Sequence, residues 1–379
     1  MTSLRILRCT LIVTSGAILT SCAAVKVQQR PAIAAVAPSA DDRRQAEHAR
    51  NVMGHVMPAN TPAARAARGM KRFGTPSNGA SPPTPGSPES SQSEQGIRYP
   101  GDVQFHGGHV VQSAEEYQIY VNLASNTTCH TVAKCWGDPT RFLHDLASSD
   151  LIHVVDQYVG VSSDSRYTAS PEPINVNYTP TAGPGRPFTD TDIQTIVHAV
   201  VRARGLQTGY HSIFDVFLVP GQDECSTGAF DTCYSPDQPA TFVFCAYHSS
   251  ADFSDIGHVI YTVEPFEDVT GCSSRPNGPN GQLVDSTNNV LSHEMFELIS
   301  NPDGTAWWNE LDSALFEEEI GDECSFLLVI PPPPALPGPQ SVVYFDPSNV
   351  ILNGHRYLAQ PEYSNDQHAC SIPPGGSGQ

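Results

Sequence analysis

Lysine is nearly absent: the chain has three in 379 residues, and only Lys134 lies beyond residue 98. Arginine does not make up the deficit. Residues 99–379 hold eight basic and thirty-five acidic side chains, a net charge near −27. Such a surface repels phosphate backbones, which excludes nucleic acid as a partner. There is no Gly-x-Ser-x-Gly elbow, no phosphate-cradling glycine loop and no dinucleotide fingerprint, which sets aside the enzyme classes built on those motifs. No Cys-x-x-Cys pair occurs, so the cysteines lack zinc-knuckle spacing. No internal repeat is visible, and the apolar stretch "CTLIVTSGAILT" near the N-terminus is too short to span a bilayer.

That stretch follows Arg5 and Arg8 and ends in Leu19-Thr20-Ser21-Cys22, the layout of a bacterial lipoprotein export signal. Residues 1–22 are therefore expected to direct export, with Cys22 lipidated; ordinary cleavage near Ala23-Ala24 is the alternative. The expected location is the cell envelope, at the outer membrane or cell surface, with membrane contact only through the lipid anchor. Residues 23–98 contain "PAIAAVAPSA", "TPAARAARG" and "SNGASPPTPGSPESSQSEQG". They offer too few large apolar side chains to offset the entropy of folding. They are expected to form a disordered tether, in which "DDRRQAEHARNVMGHV" adds at most a short helix without a core. Residues 374–379 are expected to be a flexible tail.

Residues 99–373 have the pattern of one globular α/β or α+β domain with a central sheet. "TDTDIQTIVHAVVRARG" predicts a helix capped by Thr189 or Asp190, striped by Ile193, Ile196, Val197, Val200 and Val201, and stopped by Gly205. "PTRFLHDLASSDLIHVVDQYV" also has helical spacing. "SIFDVFLVP", "TFVFCAYHSS" and "HVIYTVEPF" predict strands, and Asn353-Gly354 a hairpin turn. Of ten cysteines, eight lie in this domain. An even number in an exported chain implies disulfides. Proximity suggests Cys129–Cys135 and Cys225–Cys233, leaving Cys245, Cys272, Cys324 and Cys370 for two longer bridges.

The chemistry concentrates in "NNVLSHEMFELISNPDGTAWWNELDSALFEEEIGDEC", residues 288–324. Asp285 or Ser286 can cap a helix running to about Ile299. His293 and Glu297 would then share a face one turn apart, two ligands for one metal ion, with Glu294 beside the open position as general base. This is the logic of His-Glu-x-x-His zinc hydrolases with glutamate in the second ligand position. Apolar neighbours Val290, Leu291, Met295, Phe296, Leu298 and Ile299 imply a buried active-site helix, where polar groups need a purpose. For the third ligand the acidic run downstream offers Glu319 first, then Asp322 or Glu318, and lastly Asp303. Trp307 and Trp308 can wall a cleft. His106, His109 and His248 read more readily as core histidines than as ligands. The cofactor expected is Zn²⁺, with Ca²⁺ the alternative where the acids hold a structural cation.

Four further stretches carry a resemblance. "VQFHGGHVV", "FVFCAYHS", "LISNPDG" and "NGHRYLAQPEYSNDQHAC" resemble the Tyr-His-Gly-Gly opening, the Phe-Cys-Gly-Tyr-His strand, the Thr-Asn-Pro turn and the closing Asn-Gly-x-x-Tyr-Leu segment of the EXORDIUM-like, or phosphate-induced, secreted proteins. The similarity is scattered over most of residues 101–371. It implies a secreted fold. The plant members have no agreed enzymatic activity and carry small residues where His293 and Glu294 stand; bacterial look-alikes with Ser-His-Glu-x-x-Glu and Glu-Ile-Gly-Asp-x-Cys resemble zinc proteases. The expectation is thus an exported, disulfide-stabilised, zincin-like metallohydrolase, most simply a metallopeptidase acting on a peptide or cell-envelope polymer. The alternative is a non-catalytic cell-surface or cell-wall binding protein with a structural cation or a glycan site at Trp307 and Trp308.

Overall fold

The computed structural model describes residues 5–14, 17–26, 35–51, 55–59, 61, 63–64, 102–225, 232–274, 276–309, 319–324 and 348–371. Contacts divide the chain into two units, residues 1–35 and 36–379. In the first, Arg5–Thr14 and Ala17–Lys26 pair as antiparallel strands. Cys22 lies in the second of these, and its side chain is outside the described residues, as are the expected tail and Glu318.

Runs rich in valine, isoleucine and aromatics form the central sheet of the second unit. Its strands are β1 (Arg50–Asn51), β2 (His55–Pro58), β3 (Ala114–Val121), β4 (Tyr167–Ala169), β5 (Ile174–Val176), β6 (Ser212–Leu218), β7 (Phe244–Phe253) and β8 (Gly257–Glu264). The order is β1-β7-β8-β6-β3-β4, with β2 also on β7 and β5 also on β3. The β3, β4, β5, β6 and β8 pairings are parallel, whereas β7 runs antiparallel to β8, β1 and β2. The three predicted strands are β6, β7 and β8. The longer helices of this unit are α1 (Ala40–His48), α2 (Pro139–Ala147), α3 (Asp190–Arg204) and α4 (Gln282–Ser300).

α3 begins and ends where its sequence predicts. The Thr189 hydroxyl accepts from the Asp192 amide, the Asp192 carboxylate accepts from the Thr189 amide, and Gly205 closes the helix at φ 62°. Its stripe of Ile193, Ile196, Val197 and Val200 is fully buried against Phe214, Val216 and Val263 of the sheet. Each such side chain contributes about 1.5–3 kcal/mol. The segment 139–159 is helical only in part: α2 ends at Ala147, and Asp150–Val155 continues as a 3₁₀ turn. α4 starts at Gln282, ahead of the expected caps, and Gly281 precedes it without a side-chain cap. Asp285 instead accepts from the Asn280 amide. Asn353 and Gly354, both at positive φ, turn the chain between antiparallel strands Ser348–Leu352 and His355–Ala359, as expected.

The disulfides are Cys129–Cys135 and Cys225–Cys233, as proximity suggests, with Cys245–Cys272 and Cys324–Cys370 as the longer pairs.

Part of the expected tether lies against the domain. Residues 36–51 and 55–58 lie on the domain, with Val36 bridged to Val176, β2 zipped to β7, and Val36, Ala46 and Met57 buried. The composition of residues 23–98 hides this, because a few apolar side chains suffice when the partner surface already exists. Charge adds a clamp: Asp42 lies 2.9 Å from His198 Nδ1, and Asp41 2.8 Å from Arg202. Met57→Ala is expected to cost about 2–4 kcal/mol in chemical denaturation. A change within about 0.5 kcal/mol, the range of an exposed side chain, would return this segment to a loose tether.

Candidate metal centre

The two faces of the sheet differ. Facing α3 the side chains are mainly apolar, with the Tyr247 and Tyr261 hydroxyls donating to Asp190, but under α4 a polar row crosses five strands: Gln118, Asp215, Thr262, His248 and His55 are successive register partners. Asp215 accepts from the Thr262 hydroxyl at 2.9 Å. Burial and the neighbouring Asp215 charge push Glu116 well above the carboxylate range, and burial lifts Asp215 to about 6. At the other end of the row, His248 meets α4.

α4 is buried from Asp285 to Ser300, with Leu291, Met295, Phe296 and Leu298 in the core. His293, Glu294 and Glu297 are fully buried too. His293 Nε2 faces Glu297 Oε2 at 3.1 Å and Asp322 Oδ1 at 3.7 Å. Ligand atoms about 2.0–2.1 Å from a tetrahedral zinc ion stand roughly 3.4 Å apart, so these spacings suit a shared ion. His293 Nε2 and Glu297 Oε2 have no hydrogen-bond partner of good geometry, and such buried polar atoms call for one. The residues present therefore fit a metal. Glu297 is held by its other oxygen: Oε1 accepts from the backbone amides of Gly321 at 3.1 Å and Asp322 at 3.0 Å. Gln360 Nε2 lies 2.9 Å from His293 Nδ1 and donates to the Gly321 carbonyl. That nitrogen can donate to both acceptors only with Nδ1 unprotonated; a metal on Nε2 puts the ring proton on Nδ1 and requires the Gln360 amide to move off one of these two contacts.

The third-ligand candidates separate. Asp322 joins His293 and Glu297 in one set whose ligand atoms lie within 4.8 Å of one another, while Glu319 joins His248 and Glu297 in another. Of the sequence candidates, Asp322 is thus the one brought to His293, and Glu319 the one brought to His248. Asp303 is engaged elsewhere, accepting from the Tyr210 hydroxyl at 2.5 Å and facing His258 Nε2 at 3.1 Å. Glu319 accepts from the Asn301 side chain. The Cys324–Cys370 bridge follows directly and anchors this segment.

His248 belongs at the centre and not merely in the core. Its Nδ1 is 3.3 Å from Glu294 Oε2 and 3.8 Å from Glu297 Oε2, and its Nε2 is 3.4 Å from Glu319 Oε2. His55, in the expected tether, stacks on it with ring centroids 5.7 Å apart. Gln360 and the buried Glu362 complete the surroundings. The available signal is that Thr262 and His55, the register partners of His248, are also polar.

His106 and His109 lie outside the centre, stacked on Trp308 and Tyr210. Trp307 and Trp308 pair with Gln104–Phe105, and Trp307 Nε1 donates to the Tyr158 carbonyl. Both are half-buried.

Electrostatically the centre is short of cations. Burial raises Glu294 and Glu319 well above the carboxylate range, and the Glu297 charge adds to this. Burial also opposes ionisation of Glu297, but His293 and His248 outweigh it and hold it at about 2. Burial lowers His248 to about 3. The sharing is that of acids competing for too little positive charge.

Comparison with family models, with curated proteins and with solved structures finds no match.

Gly321 leaves a testable mark. A Cβ there would stand 2.6 Å from His293 Nδ1 and 2.8 Å from Glu297 Oε1. Gly321→Ala is expected to cost about 1–3 kcal/mol and to weaken metal retention. Unchanged melting and unchanged metal content would show that the segment does not press on these two side chains.

Proposed function

We propose that this chain is a zinc-dependent hydrolase, with a peptide as the substrate class its motif favours. The observation that carries the reading is the facing pair His293 Nε2 and Glu297 Oε2, buried, 3.1 Å apart and with no hydrogen-bond partner of good geometry, with Asp322 Oδ1 completing a set. His293 and Glu297 are ligands, Asp322 the third, and Glu294 the general base. The arrangement is zincin-like, with the motif helix α4 lying beneath a mixed sheet. A zinc ion held there would lower the pKa of a water to about 7. Glu294, next to His293 in sequence, would accept a proton from the attacking water and pass it to the amine that leaves as the peptide C–N bond breaks. The Glu297 oxygen held by the Gly321 and Asp322 amides keeps the ligand face in place, and Gln360 stands beside the His293 ring.

The signal-like residues 1–22, the four disulfides and the resemblance to EXORDIUM-like secreted proteins support an exported protein anchored through Cys22. Among the described residues no helix is long and apolar enough to cross a membrane. Cys22→Ala is expected to release the protein from membranes with its fold intact; equal membrane retention would exclude lipidation there.

A second reading, a structural cation without catalysis, draws on the complete burial of His293, Glu294 and Glu297. One experiment separates the two. For a hydrolase, the purified chain holds zinc, and Glu297→Ala removes it. Glu294→Gln keeps it while activity on a peptide library falls about 10²-fold or more. Zinc held with no activity in any variant, and lower melting temperature in the ligand variants, would select the structural cation. Absence of zinc would overturn the hydrolase.

A further inference from the structure

One carboxylate serves two ligand sets. His293, Glu297 and Asp322 form the set assigned to zinc, and His248, Glu297 and Glu319 form a second. They share only Glu297. Its Oε1 is committed to two backbone amides, while Oε2 is 3.1 Å from His293 Nε2 and 3.8 Å from His248 Nδ1. Glu319 Oε2 is fully buried, has no hydrogen-bond partner and lies 3.4 Å from His248 Nε2.

Two further observations point to a cation beside His248. The first is proton counting on the ring. Acceptors face both nitrogens: Glu294 Oε2 at 3.3 Å on the Nδ1 side, the Asn301 carbonyl at 3.3 Å and Glu319 Oε2 on the other. A neutral imidazole has one N–H, so its other nitrogen faces an oxygen that needs either a proton of its own or a cation between the two. The second is charge. Glu294, Glu297, Glu319 and Glu362 are fully buried and Asp322 is 3 % exposed. Among the described residues, the ion-pair partners of Glu294, Glu297 and Glu319 are histidines, not lysine or arginine. A divalent ion among these acids supplies positive charge that the histidines do not, and buried carboxylates are ionised only at a cost without it.

We propose that the protein holds a second divalent cation, bound by His248 and Glu319 and bridged to the first through Glu297. His55, whose Nδ1 lies 3.8 Å from Glu319 Oε1, stands next to it as a further nitrogen donor. Mixed imidazole and carboxylate donors suit a first-row ion such as Zn²⁺ or Mn²⁺ better than Ca²⁺, which prefers six to eight oxygens. This proposal rests on the metal reading of the His293 set, and metal counting distinguishes the two.

The full chain is stripped with chelator, titrated with Zn²⁺ and separately with Mn²⁺, and its content measured by elemental analysis after desalting. Two ions of the same metal per wild-type chain are expected, and one in either His248→Ala or Glu319→Gln. His293→Ala is also expected to keep one, held by the second set. One ion in the wild type, unaffected by His248→Ala and Glu319→Gln, would overturn the second site and leave the hydrolase reading standing. No bound ion would overturn both. The wild-type count decides by itself, so a variant that fails to fold does not shelter the proposal.

Discussion

Glu297 is the group on which this centre depends. A fully buried carboxylate costs several kcal/mol unless it is paired and hydrogen-bonded, and here each oxygen has its own solution. One is fixed by two backbone amides of the 319–324 segment, which requires that segment to lie directly against α4 and to place glycine at 321. The other faces histidine. The segment is tied in turn by Cys324–Cys370 and by the Tyr363 amide, which donates to the Ile320 carbonyl. Helix, segment and C-terminal strands thus meet at one side chain.

The division between the sheet's two faces gives the same logic on a larger scale. Against α3, apolar area dominates, the buried Asp190 there being satisfied by the Tyr247 and Tyr261 hydroxyls, and that face supplies stability. Against α4, carboxylates and imidazoles stand in a core position, where they oppose stability unless something compensates them. Proteins keep such groups inside where they bind or react. The disulfides and the apolar face offset what the polar row costs.

Much of this is legible in the sequence, and the limits have physical causes. α3 is readable because cap, stripe and stop agree within seventeen residues. His293, Glu294 and Glu297 are readable because helical spacing places them together whatever the rest of the chain does. The acid that faces His293 is not, since Glu319 and Asp322 lie three residues apart and only the path of a short irregular segment decides which meets it. His248 is hidden because β7 is buried on both faces, so alternation does not tell which side chain points at α4. Residues 36–58 read as tether because local composition carries no record of an edge waiting for a strand. Two disulfides follow from proximity, and the other two need the fold.

The pairing of β2 with β7 has a consequence for how the molecule is made. β2 leaves the ribosome long before the strand it pairs with, and His55 must wait for His248, its register partner. Until then Val56 and Met57 are apolar residues without a docking surface. Contacts of such sequence separation form late and slowly. The centre, which also gathers residues 293, 322 and 360, is therefore among the last parts of the chain to assemble, and any cation it takes arrives at a protein already nearly folded.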